Sequence, residues 1–214
     1  MKKFLLLVIL IIPFLNVNAQ GIGELAPAKP PDIFPDNAIG ADIIFSESGF
    51  GLGAFYRHQF NQKITGFADF SVSEAKDPQE FTYVDYFGNT YTYGKINRAF
   101  LLPINLGVQY RLFENDIYDN LRPYINIGIG PAIVLTTPYD REFFNAFHAA
   151  KLYPTLGGYI GLGANIGINK KNLLGINIRY YEIHLFNKGI EILQNKLEND
   201  LGGFFITVNI GTMY

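Results

Sequence analysis

The chain contains no cysteine and no tryptophan, only 3 histidines in 214 residues, and charge at only 17% of its positions. Without cysteine there is no disulfide scaffold, no thiolate chemistry and no attachment point for a lipoprotein anchor. Lysine and arginine number 17 against 19 aspartates and glutamates, a net charge of -2, so no basic excess is present to track a phosphate backbone and no nucleic-acid partner is expected. His58, His148 and His184 have no second histidine or carboxylate at ligand spacing on the same face, so neither a metal nor a cofactor is expected. Long apolar runs are also scarce. The one at the N-terminus, Phe4 to Leu15 behind Lys2 and Lys3, is shorter than the ~20 residues a spanning helix needs. It leads into Asn16-Val17-Asn18-Ala19-Gln20, whose small Val17 and Ala19 stand where a signal peptidase reads, so residues 1–19 are expected to be a cleaved signal peptide. An exported chain without a spanning helix can enter a membrane only as a closed barrel, because lipid offers its backbone groups no hydrogen bonds.

What the chain has in quantity is glycine, 22 residues, and aromatic side chains, 15%, set into segments that alternate in polarity. Residues 20–37 are proline-rich, with Pro27, Pro30, Pro31 and Pro35, and predict an extended leader. Alternation begins at residue 38. Ile39, Ala41, Ile43 and Phe45 oppose Gly40, Asp42, Ile44 and Ser46, and a second strand sets Leu52, Ala54 and Tyr56 against Gly53, Phe55 and Arg57. A third, after the turn Asn61-Gln62-Lys63, sets Ile64, Ala68, Phe70 and Val72 against Thr65, Phe67, Asp69, Ser71 and Ser73. The fourth runs over 102–112 and the fifth over 125–133. The clearest hairpin lies at 156–180, where Leu156, Ile160, Leu162, Ile166, Leu174, Ile176 and Ile178 share one face, and glycines, Asn165, Asn177 and Arg179 the other. An eighth strand, 203–214, ends the chain on Tyr214.

Between strands the links fall into two classes. Residues 61–63, 114–121 and 169–171 are short, whereas 75–97, 137–155 and 187–200 are long. The first long link predicts a projecting hairpin around Phe87-Gly88-Asn89; the other two, with REFFNAFHAAKL and IEILQNKLEN, have helical spacing. A soluble lipocalin-like barrel also has eight antiparallel strands, with an apolar interior and a charged exterior. Here the polar face is mostly glycine, asparagine, serine and threonine, which cover a wet surface poorly but fit a narrow lumen, so the isoleucine and leucine face is expected to meet lipid. Tyr56, Phe60, Tyr110 and Tyr214 near one set of strand ends, and Phe45, Tyr180 and Phe204 near the other, form candidate interfacial girdles.

Signal peptide, eight alternating strands, short inner turns, long outer loops and a terminal aromatic residue together resemble the small eight-stranded outer-membrane barrel proteins of Gram-negative bacteria, the signal-peptide end being similar to Bacteroidetes-type members. The resemblance implies an all-β fold, an eight-stranded antiparallel transmembrane β-barrel over residues 38–214 with short periplasmic turns and long extracellular loops. It implies outer-membrane lipid as surroundings and recognition of the last strand by the barrel assembly machinery. The function expected is structural or loop-mediated binding in the envelope, with a narrow porin-like channel as the alternative.

Five charged residues fall on the inward face: Asp42, Arg57, Asp69, Arg111 and Arg179. Buried charge is costly unless paired, so a polar lumen network of Asp–Arg pairs is expected, bridged by Asn105, Asn126, Asn165, Asn177 and Asn209. It would either plug the barrel or set the selectivity of a pore. The segment 179–189, RYYEIHLFNKG, resembles the end of the penultimate strand in the lipid A 3-O-deacylase family, where a His-x-Ser-Asn-x-Gly pattern places a serine nucleophile two residues after its base. His184, Asn187 and Gly189 match, and Glu198 follows where a carboxylate could orient the imidazole, but Phe186 occupies the nucleophile's position. With no attacking atom, no acyl transfer and no enzymatic activity are expected. Tyr83, Tyr86, Phe87, Tyr91 and Tyr93, with Phe143, Phe144 and Phe147, put many aromatics into the long loops, either to cover the barrel mouth or to meet an extracellular partner.

Overall fold

A computed structural model describes residues 34–214 apart from 89, 115, 118, 119, 168–170, 187 and 188; the expected signal peptide, residues 20–33 of the proline-rich leader, most of the 169–171 turn and Asn187 lie outside the described residues. Twelve strands follow one another as β1 (Asn37–Ser46), β2 (Gly49–Gln59), β3 (Ile64–Ala75), β4 (Thr82–Val84), β5 (Thr90–Thr92), β6 (Asn97–Arg111), β7 (Leu121–Pro138), β8 (Lys151–Gly167), β9 (Asn172–His184), β10 (Ile190–Glu191), β11 (Leu197–Glu198) and β12 (Asp200–Met213). Eight of them form a closed antiparallel barrel in the order β1-β12-β9-β8-β7-β6-β3-β2. Closure is made by β1 and β12, in register from Ala38 opposite Met213 to Ser46 opposite Phe205. Links of four residues join β2 to β3 and β8 to β9 and one of nine joins β6 to β7 at one end, and the three longer links leave from the other together with the two-residue link from β1 to β2.

The alternation divides inside from outside as the residue pattern implies. Ile104, Leu106, Ile127, Ile129, Ile160, Leu162, Ile176 and Ile178 are exposed on the outer wall, while Asp42, Asp69, Asn105, Asn126, Asn177, Arg179 and Asn209 are buried. Aromatic rings lie on the outer surface toward both ends. Phe45 packs edge-on against Phe50 and Tyr180 against Phe204, with ring centroids 5.8 and 5.1 Å apart, and at the short-turn end the Tyr56 hydroxyl donates to Asn37 Oδ1 at 2.9 Å.

Three features depart from the sequence reading. First, the described part of 187–200, residues 189–200, is not helical: β10 and β11 pair there as a two-stranded ladder, Ile190 opposite Glu198 and Glu191 opposite Leu197. Its tie to the neighbouring loop, Ile96 N donating to Ile192 O at 2.9 Å, needs an extended backbone that a helix would not present. Second, strands run beyond the apolar alternation. β6 starts at Asn97, β7 reaches Pro138 and β8 starts at Lys151, leaving a single helical turn, α1 (Phe143–Ala146), followed by a 3₁₀ turn. Paired neighbours satisfy those backbone groups whatever the side chains are, which polarity alone does not report. Third, the lumen is less polar than expected. Its long-loop half is an apolar core of Ile44, Leu101, Val134, Ile183, Leu201 and Phe205 together with Leu185, Ile190 and Ile192 from the loop, and the short-turn end is closed by Phe34, Ala38, Phe55, Leu173 and Met213.

Glycines on the inward face make room for rings. A Cβ on Gly128 would stand 2.9 Å from Tyr159 Cε1 and 3.2 Å from Phe67 Cζ, and one on Gly163 would stand 2.7 Å from Tyr124 Cζ. An eight-stranded barrel is only just wide enough for its side chains, so each large ring requires a missing one across the wall. Replacing Gly128 by valine is therefore expected to destabilise the barrel by ~1–3 kcal/mol through overpacking. Urea unfolding of the detergent-refolded protein measures this, with Ile129→Val on the outer wall as the control that should move far less.

Candidate functional site

The centre of the lumen is a polar belt built from inward positions of all eight barrel strands. Arg179 on β9 sits between two carboxylates, with Nη2 3.5 Å from Asp42 Oδ2 and Nη1 3.6 Å from Asp69 Oδ2, and its guanidinium lies 4.6 Å over the Tyr159 ring. Asn105 Nδ2 donates to Asp69 Oδ1 at 2.7 Å, the Tyr159 hydroxyl to Asp69 Oδ2 at 2.8 Å, and Asn209 Nδ2 to Asp42 Oδ1. The Tyr181 hydroxyl donates to Asn105 Oδ1 at 2.7 Å, and Asn177 Nδ2 reaches both the Tyr124 hydroxyl at 3.1 Å and Asn126 Oδ1 at 3.2 Å. Arg57 crosses the lumen from β2 to give Nη1 to Asn165 Oδ1 at 2.9 Å, its guanidinium 4.3 Å over Phe55. Two aspartates thus balance two arginines, and neutral amides and hydroxyls take up the remaining lone pairs, which is what makes buried charge tolerable.

Asp42, Arg57, Asp69 and Arg179 all lie in the lumen, but Arg111 is separate from the belt. It is the last residue of β6, only half-buried, and donates Nη2 to Ile117 O at 3.1 Å in the following turn. Tyr124, Tyr159 and Tyr181 are belt members that polarity alone passes over; their inward position in the alternation was the available signal. Cavities flanking the belt are small, about 40 Å³ toward the short-turn end and about 10 Å³ toward the long-loop end.

The long loops are cross-linked by charge. Lys95 Nζ lies 2.8 Å from Glu80 and 3.8 Å from Glu74, and Lys196 Nζ lies 2.7 Å from Asp77 and 2.6 Å from Glu198. Burial pushes the Asp77 carboxyl up, but hydrogen bonds from Lys196 and the Gln79 amide and the Lys196 charge outweigh it, holding Asp77 below its ordinary 3.8. Above this knot the β4–β5 hairpin stands free. Phe81, Tyr83, Tyr91 and Tyr93 line one of its faces as two cross-strand pairs, the Tyr83 and Tyr91 rings stacked at 5.8 Å, and the tip carries Tyr86, 98% exposed, and Phe87, 84% exposed. Phe143 and Phe147 instead pack on Phe100 at the rim, while Phe144 points outward.

His184 lies exposed on the outer wall at the end of β9, with Nδ1 2.5 Å from Asp200 Oδ1 and its ring edge-on to Phe186. Asp200, its cross-strand partner in register, takes the place expected for Glu198, which is engaged by Lys196. His58 Nδ1 meets Asn37 Oδ1 at 2.8 Å, and His148 is exposed in the 3₁₀ turn; among the described residues no group of acidic or histidine side chains is arranged to hold a metal.

The sequence matches no protein family and no curated protein. The structure is similar to the crystal structure of Neisserial surface protein A, with a TM-score of 0.52 at 12% identity over 83% of this chain and 95% of that one. The fold is that of a small outer-membrane β-barrel. The N-terminal barrel domain of Pseudomonas aeruginosa OprF also aligns, TM-score 0.47 at 13% identity, covering 83% of this chain and 97% of that one. So does OprG from the same organism, TM-score 0.42 at 16% identity, covering 84% and 95%. In this fold the short-turn end is periplasmic and the long loops are extracellular.

Two outcomes test the belt and the loop knot. Arg179→Met strands two buried carboxylates and should cost ~3–5 kcal/mol in urea unfolding, part of which returns when Asp42→Asn and Asp69→Asn are added. Because the folded carboxyl of Asp77 is depressed, its contribution is fully present above about pH 4 and is lost as pH falls through the folded value. Protease cleavage within 185–199 should therefore rise only below that point, and Asp77→Asn should remove the acid dependence.

Proposed function

We propose that this chain is an outer-membrane protein that binds an extracellular partner through its loops, with the barrel as a sealed, non-enzymatic scaffold. The observation that carries this reading is the β4–β5 hairpin, whose aromatic face is left open above a mouth already closed by other residues. Exposed aromatic patches of this kind are costly in water and characterise recognition surfaces, because a tyrosine offers a large contact area with little side-chain entropy to lose. The charge knot below holds the hairpin base in place, through Lys95 and Glu80, so that binding need not first order the loop.

A narrow channel is the second reading, favoured by the charged belt. It needs Arg179 to leave both aspartates and the two apolar caps to open, since the cavities beside the belt hold at most a few waters. Acyl hydrolysis has less support: the His184–Asp200 pair has a base and an orienting carboxylate, but Phe186 offers no nucleophile.

Proteoliposomes carrying the full chain, assayed against immobilised matrix proteins and polysaccharides, should bind at least one of them. Serine replacing Phe81, Tyr83, Tyr91 and Tyr93 together should weaken that binding tenfold or more. Binding that survives the four replacements, or discrete conductance steps from the wild type in a planar bilayer, would defeat the sealed-scaffold reading.

A further inference from the structure

Three guanidinium groups converge at the periplasmic mouth. Arg111 pairs across the ladder with Tyr124, two residues from Arg122 on β7, and Arg122 itself pairs with Asn165 on β8. Asn165 is the side chain that Arg57 reaches across the lumen, so the register of two strand pairs and this hydrogen bond bring Arg57, Arg111 and Arg122 to one place. All three line the cavity of about 40 Å³, with Gln109, Thr65 and Asn37 among its other walls, and their charges act on one another. Asp36 also lines it, yet among the described residues none of the three arginines is in ion-pair contact with a carboxylate.

The belt cannot supply the missing charge, because Asp42 and Asp69 are already matched by Arg179 and Arg57. Among the described residues of the cavity wall Arg111 and Arg122 are left over against the single carboxylate of Asp36, and the Nε of each is buried with no hydrogen-bond partner. What Arg122 does have is Phe34 stacked 3.9 Å from its guanidinium and a contact from Nη2 to Met213 Sδ at 3.4 Å. A ring satisfies the face of a guanidinium but leaves its in-plane N–H donors unused. Clustered guanidinium forks with spare donors in a partly dry cavity match the tetrahedral oxygens of a phosphate, which accepts in pairs. The space, about three waters in size, suits a group of that volume and excludes a larger anion.

We propose that the cavity formed by Arg57, Arg111 and Arg122 is a periplasmic binding site for a phosphate-class oxyanion, either free phosphate or the phosphate of an inner-leaflet lipid. Bound there, the anion neutralises the mouth and completes the seal that Phe34 begins. The site is independent of the extracellular loops, so its test does not depend on what they bind.

The experiment uses the full chain refolded in zwitterionic detergent. One arm titrates sodium phosphate by calorimetry at constant ionic strength; the other adds phosphatidic acid or phosphatidylcholine and records bound lipid by native mass spectrometry. Saturable binding in the first arm assigns the free ion, and retention of phosphatidic acid over phosphatidylcholine in the second assigns a lipid phosphate. Either should fall tenfold or more in Arg122→Gln and in Arg111→Gln, with Arg122→Lys intermediate, while heat-modifiable migration shows that the variants still fold. Should a variant misfold, the wild type decides: phosphate must raise its unfolding temperature above that in chloride of equal ionic strength, or phosphatidic acid must do so over phosphatidylcholine. Binding of neither ligand, or binding undiminished in both glutamine variants, overturns the proposal.

Discussion

Closure of β1 onto β12 is the constraint from which the rest of the molecule follows. An open sheet edge cannot exist in hydrocarbon, so the eighth strand must pair with the first, and pairing eight strands fixes a bore about as wide as the side chains that line it. The interior then has to be solved as a packing problem. Rings at Phe55, Phe67, Tyr124, Tyr159 and Tyr181 fill it, and glycines across the wall give them room. The same constraint makes unpaired polar groups costly, and the amides of Asn105, Asn165 and Asn209 each bond one of the belt charges.

The belt and its two apolar caps act together. Each cap keeps water from an Arg179 that has two carboxylates within reach, and a drier surrounding strengthens that attraction while raising the cost of breaking it. The balance holds only in the middle of the bore. Toward the short-turn end arginines outnumber the carboxylate of Asp36 in the cavity wall, and toward the long loops charge is paired, within one loop as Lys95–Glu80 and between loops as Lys196–Asp77. The molecule is thus graded along its axis, from excess cation through neutrality to a cross-linked outer crown.

Much of this was legible in the residue pattern, for physical reasons. Period-two alternation reports burial directly, so the facing of Ile176 against Asn177, or of Leu106 against Asn105, could be read before any contact was known. Link lengths marked which end carries the loops. Less legible was whatever depends on partners far apart in sequence. Nothing local distinguishes Arg111 from Arg179, although one ends a strand and the other faces two aspartates; nor does any spacing choose Asp200 over Glu198 for His184, since that depends on the β9–β12 register. The run IEILQNKLEN within 187–200 has a helical spacing, whereas in the closed barrel Ile190 and Ile192 plug the mouth, a role that no local pattern defines.

That plug sets two neighbouring loops apart. The segment carrying Ile190 and Ile192 belongs to the hydrophobic interior although it lies outside the barrel wall, and its length and side chains are tied to the bore beneath it. At the tip of the β4–β5 hairpin Tyr86 and Phe87 are exposed instead. Drift in sequence, foreign epitopes or inserted tags should be accommodated around residues 85–88 with the barrel unaware of them, whereas the same change at 190–192 would be a change to the core. One crown therefore carries two evolutionary clocks, and surface variability among descendants of this chain would be concentrated in the hairpin.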